Sequence, residues 1–184
     1  CTWPAERSVL KVDRGEGDFA LKLRVPYWAT SGFKVLLNGK NVQKHYQPSS
    51  YVTIPYRHWT TADRVEVVMP FTIHIEYGMD KLPAEVASAD GTPLQSAWTG
   101  VVMAGPLCMT GTGAATWRQA TLSTDAIEKA TVVPAQGQEP ITVTIDGKRF
   151  EPDYYRNAHS THYYRLESAG GDRSRNTNRR VDLT

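Results

Sequence analysis

Single alternation of apolar and polar residues runs through much of the chain and sets its fold class. Phe19, Leu21 and Leu23 fall on one side of an extended segment and Ala20, Lys22 and Arg24 on the other, the period of two that marks a half-covered strand. Comparable runs predict strands at Val9–Asp13, Phe19–Val25, Phe33–Leu37, Tyr51–Ile54, Arg64–Met69, Phe71–Tyr77, Trp98–Ala104, Ile141–Ile145 and Tyr163–Leu166. Within Phe71–Tyr77, the residues Phe71, Ile73, Ile75 and Tyr77 share a face and leave Thr72, His74 and Glu76 on the other. Turn chemistry separates the runs: Gly15-Glu16-Gly17, Asn38-Gly39, Asp90-Gly91 and Asp146-Gly147. Asn38-Gly39 predicts a type I′ hairpin, because both central residues of that turn need positive φ. One short helix is expected at Asp125–Lys129, capped by Ser123 or Thr124. Many short strands without a βαβ rhythm predict an all-β protein, an antiparallel, jelly-roll-like β-sandwich with a smaller C-terminal β segment.

The texture changes after Met109, where Thr110-Gly111-Thr112-Gly113-Ala114-Ala115 reads as a connecting loop. The expected organisation is a β-sandwich over residues 1–117, a β segment over 118–168 and a polar, Arg-rich tail over 169–184. No internal repeat is visible. Net charge is +2, and the arginines of the tail, Arg173, Arg175, Arg179 and Arg180, lack interleaved aromatics, so no nucleic-acid partner is expected. The longest apolar stretch, Val101–Met109, is interrupted by Gly105-Pro106, which leaves no membrane-spanning run. Cys1 and Cys108 are too few for a disulfide framework and lack the neighbouring ligands of a structural zinc site. The chain begins at Cys1 and enters a strand almost at once, as expected of a piece cut from something longer.

Chemistry-bearing residues are scattered. His159 and His162 lie with Glu151, Asp153, Tyr163 and Tyr164 in the densest polar and aromatic cluster, but a spacing of three sends two imidazoles to opposite sides of an extended chain. Closing an edge of the sheet suits these residues better than holding a metal. His45, His58 and His74 occupy separate segments, and neither a G-x-S-x-G elbow nor a phosphate loop is present. Cys108 sits between Leu107 and Met109 as a small apolar residue would. The aromatics offer two readings: Trp59, Trp98 and Trp117 are candidate carbohydrate-binding residues, flat platforms for a sugar ring, and they serve equally well as packing.

Several phrases, in order and spacing, resemble one family. Leu21-x-Leu23-Arg24-Val25-Pro26-x-Trp28-Ala29, Asn38-Gly39, Tyr51-x-x-Ile54 with Trp59, Asp63-x-Val65-x-Val67 and Met103-Ala104-Gly105-Pro106-Leu107 look like the non-catalytic β-rich region of glycoside hydrolase family 127, typified by bacterial β-L-arabinofuranosidases. Phe150-Glu151-Pro152-Asp153-Tyr154-Tyr155-Arg156 with His159 and Tyr163-Tyr164 resembles the closing motif of that region. The resemblance implies an accessory region that packs on an (α/α)-barrel of the same polypeptide, where a cysteine nucleophile on zinc and a glutamate do the chemistry. None of those catalytic residues maps onto a position of this sequence, so no catalytic residue, metal or cofactor is assigned to it. A periplasmic or secreted setting and a possible glycan partner are further implications. The alternative is a carbohydrate-binding module that takes plant-type glycans through exposed aromatics.

Overall fold

The computed structural model describes residues 4–82, 97–111, 121–155 and 162–167. Strands dominate these residues, with two short 3₁₀ segments at Thr124–Lys129 and Asp153–Tyr155. The chain divides into two compact units, Cys1–Thr72 and Ile73–Thr184. An all-β fold with mainly antiparallel pairing follows the alternation in the sequence.

The first unit has six strands: β1 (Arg7–Lys11), β2 (Gly17–Val25), β3 (Lys34–Leu37), β4 (Lys40–Asn41), β5 (Ser50–Trp59) and β6 (Arg64–Val68). β1, β6, β3 and β4 form one antiparallel sheet in that order, and β2 pairs β5 in a two-stranded ribbon. Each sheet buries one face: Val35, Val65 and Val67 from the first, Val25, Val52 and Ile54 from the ribbon, with Trp28, Phe33 and Phe71 completing the core. Asn38 (φ 50°) and Gly39 (φ 80°) make the hairpin between β3 and β4, as their sequence predicts. Asn38 also carries a tertiary duty. Its side chain donates to Asp63 Oδ1 at 2.8 Å and accepts from the Arg64 amide at 2.8 Å, tying this turn to the one between β5 and β6.

Strand β5 runs five residues past its expected end at Ile54 because the ribbon absorbs Pro55 in a bulge. Phe19 faces Arg57 while Leu21 faces Ile54, so Ala20 stands against both Pro55 and Tyr56. A proline has no amide to give to the ladder, and a bulge is where a strand tolerates it. The extra residue reverses the alternation beyond it. Counted strictly from buried Ile54, Trp59 would point outward; after the bulge it points inward and is 3% exposed.

The second unit contains β7 (Ile73–Leu82), β8 (Ala97–Ala104), β9 (Leu107–Gly111), β10 (Thr121–Ser123), β11 (Thr131–Val133), β12 (Thr142–Ile145), β13 (Lys148–Pro152) and β14 (Tyr164–Glu167). They form one sheet in the order β10-β14-β8-β9-β13-β12-β11, and β7 also pairs β8. Because β7 follows β8 along one edge, β14 (opposite 98–100) and β9 (opposite 102–104) share its other edge end to end. The β10–β14 pair is parallel; the other pairings are antiparallel. Gly105 (φ 54°) and Pro106 turn β8 into β9, and Asp146 (φ 51°) with Gly147 (φ 70°) turns β12 into β13.

Several expectations change here. Strands β4, β9, β10, β11 and β13 have too few residues or too little apolar alternation to stand out in sequence. Residues 71–75 are buried on both faces, so Thr72 (1% exposed) and His74 (0%) are interior rather than outward. The Thr72 hydroxyl donates to the Trp28 carbonyl at 2.7 Å, and His74 Nε2 lies 3.3 Å from Glu76 Oε1. The expected helix is a 3₁₀ segment, and Ser123 at its start makes no side-chain cap. Backbone pairing groups 73–111 with 121–167. The domain limits expected at 117 and 168, the Asp90-Gly91 turn and the 169–184 tail lie outside the described residues.

Candidate functional site

The three tryptophans named as sugar platforms meet different fates. Trp59 is core: its Nε1 donates to the Phe19 carbonyl at 2.9 Å, Phe19 stacks on the ring at 5.2 Å and 12°, and the Arg57 guanidinium stands 5.0 Å from its centroid. With its ring occupied in this way, Trp59 offers no open face to a ligand. The bulge at Pro55–Tyr56, set by the pairing with β2, turns the Trp59 side chain inward. Trp98 is half-buried on β8, opposite Leu166 on β14 and Lys81 on β7. Trp117 lies outside the described residues.

Exposed aromatics stand elsewhere on the ribbon. Tyr51 is 60% exposed and Tyr56 72%. Across the ladder from Tyr51 is Arg24, whose guanidinium lies 5.6 Å from the ring centroid and donates weakly to the phenol oxygen at 3.4 Å. Lys22 faces Thr53 in the next outward pair. At the far end, His58 Nδ1 lies 3.0 Å from Asp18 Oδ1 and its Nε2 lies 3.5 Å from Glu16 Oε2. The hydrogen bond to Asp18, with the charges of both carboxylates, holds the imidazole above its ordinary value of 6.5.

Asp63 anchors the opposite kind of cluster, a closed one. It accepts from Asn38 Nδ2, the Thr60 amide at 2.9 Å and Arg57 Nη2 at 3.0 Å. The bond from Asn38, then those from Thr60 and the nearby Arg57 charge, hold its carboxyl below the usual range. All of these partners are structural ties between turns, which leaves Asp63 no reach toward a substrate.

In the second unit, Asp153 and His162 of the polar cluster do meet, at 2.5 Å, with Tyr154 (51% exposed) and Tyr163 (59%) among the neighbouring residues in sequence. Glu151 is buried and takes the Arg149 guanidinium at 3.0 Å. His159 lies outside the described residues. Burial, then the negative charge of Asp153, pushes the Cys108 thiol up, so it stays protonated and a poor nucleophile. Among the described residues no three His, Cys, Asp or Glu side chains stand where they could share a metal ion, so these residues do not fit a zinc site. No helix among them is long and apolar enough to cross a membrane.

Residues 3–71 match the family described as β-L-arabinofuranosidase, GH127 middle domain. Among solved structures, the chain is similar to a GH127 β-arabinofuranosidase (TM-score 0.54, 17% identity, covering 90% of this chain and 30% of that one). It is also similar to a glycoside hydrolase (TM-score 0.52, 18% identity, 91% and 31%). A third is a GH127 β-L-arabinofuranosidase from Geobacillus stearothermophilus T6 (TM-score 0.50, 17% identity, 90% and 29%). Comparison with curated proteins finds no match. The chain thus spans about 30% of the length of the solved structures it resembles. By the match over 3–71 and the fold shared along most of its length, this chain is similar to the β-rich region of glycoside hydrolase family 127-like proteins, the family its phrases resemble.

Proposed function

We propose that this chain is the non-catalytic β-sandwich region of a glycoside hydrolase of the β-L-arabinofuranosidase kind, supporting a helical-barrel catalytic domain carried upstream in the same polypeptide. The observation behind it is the family match over residues 3–71 in a chain that covers only 30% of its solved neighbours. The state of the polar groups supports a supporting role. Asp63 is spent on holding turns together, Glu151 on Arg149, and Cys108 is kept protonated. The physical contribution of such a region is burial of apolar surface on its neighbour, at about 25 cal/mol per Å² removed from water. Zinc, the glycan substrate and a periplasmic or secreted setting belong in this proposal to the whole hydrolase.

The test compares the 184-residue chain with its full-length parent on 4-nitrophenyl β-L-arabinofuranoside. Turnover by the parent and none by the chain alone is the expected result. Saturable turnover by the chain alone, lost in Glu151→Gln or Cys108→Ser, overturns it.

A further inference from the structure

The hairpin between β3 and β4 places a reactive pair under restraint. Asparagine followed by glycine readily loses its side-chain amide, because a glycine nitrogen carries no neighbouring side chain to block its approach to the asparagine Cγ. Asn38 and Gly39 are both exposed, and no residue beyond its chain neighbours lies within 4 Å of where a Cβ on Gly39 would stand, so bulk does not shield the pair. Hydrogen bonds do. The Asn38 backbone amide donates to the Arg64 carbonyl at 2.9 Å, its Oδ1 accepts from the Arg64 amide at 2.8 Å and its Nδ2 donates to Asp63 Oδ1 at 2.8 Å. The carboxamide is thereby held against the β5–β6 turn, whereas ring closure needs Cγ to swing onto the Gly39 nitrogen. Asp63 is fixed in turn, being buried and accepting also from the Thr60 amide and Arg57.

We propose that Asn38-Gly39 is a self-modification site locked by this tie, and that its opening is one-way. Once the tie opens, the Gly39 nitrogen bonds to Asn38 Cγ and gives up its proton. The Cγ–Nδ2 bond breaks, and ammonia leaves with that proton. Water then adds to either carbonyl carbon of the resulting succinimide and the bond from that carbon to the ring nitrogen breaks, leaving aspartate or isoaspartate with nothing oxidised or reduced. Either product carries a carboxylate where the amide donor stood, so Asp63 meets a second acceptor. Arg57 is a single positive charge already placed on Asp63, the His58 carbonyl and the Trp59 ring, and the Arg64 guanidinium is turned to Glu66. Isoaspartate also adds a backbone atom to a hairpin whose register depends on turn length. The modified hairpin therefore does not close again on the β5–β6 turn.

The test follows Asn38 by peptide mass spectrometry while the 184-residue chain is held at neutral pH with and without denaturing urea, isoaspartate being separated by chromatography. The native chain should lose the amide at least about tenfold more slowly than the unfolded one, because reaction waits on local opening. Asp63→Ala, with circular dichroism showing it folded, should raise the native rate at least about threefold. Should that variant unfold, the remaining measurements decide. Asn38→Asp, made directly, should lower the urea midpoint at about pH 7 with unchanged slope. Protonating either carboxyl of the opposed pair relieves the repulsion, so this deficit against the parent chain should narrow as pH falls toward about 4. Equal rates with and without urea, an unchanged rate in folded Asp63→Ala, or the parent's midpoint in Asn38→Asp at about pH 7 overturns the proposal.

Discussion

His58 shows how a single exposed side chain can make stability depend on pH. Asp18 and Glu16 sit on its two ring nitrogens, and both favour the imidazolium. Its folded pKa is raised above 6.5, so its contribution is fully present below about that pH and is lost as pH rises through the raised value. His58→Gln should therefore flatten the fall in melting midpoint as pH rises above about 6.5. A slope unchanged in that variant would place the pH dependence elsewhere. Tyr164 is the buried counterpart. Its phenol is pushed up to about 12 by burial, and its hydroxyl has no hydrogen-bond partner among the described residues. Absorbance titration at 295 nm should show one tyrosine ionising well after the exposed ones. The hydroxyl is packed against Gly111, where a Cβ would come within 2.0 Å of it. Gly111→Ala should cost about 1–3 kcal/mol in urea unfolding, and Tyr164→Phe in the same chain should restore part of that loss by removing the atom struck.

Among the elements, the hairpins were legible and the pairings were not. Asn38-Gly39 and Asp146-Gly147 declare themselves because an L side chain resists positive φ, a restriction felt within two residues. Gly39→Ala should destabilise the first unit by about 1 kcal/mol, read as a lower urea midpoint at unchanged slope, since nothing lies near the added methyl except its own strained backbone. The strand β2 and most of β6 were readable from alternation alone. Strand β13 was hidden, since Lys148–Pro152 carries one aromatic among charges, and only its ladders to β12 and β9 make it a strand. Trp59, offered both as a platform and as packing, is packing, and its inward turn follows from a bulge that is decided by two chains at once.

For the whole molecule, the family resemblance was legible because its phrases keep their order across the chain, and the match over 3–71 bears it out. The candidate site was less so: the exposed tyrosines and the paired Arg24 emerge only once β2 is laid against β5, while Trp59, read equally as a platform and as packing, is core. Local sterics and periodicity are properties of neighbouring residues, so sequence by itself determined the all-β class, the Asn38-Gly39 hairpin and the buried face of β2. Which strand lies beside which is settled by contacts between residues far apart in the chain. That is why only the tertiary structure decided that 73–111 joins 121–167, that His74 is interior, and that Arg24 and Tyr51 share one outward face.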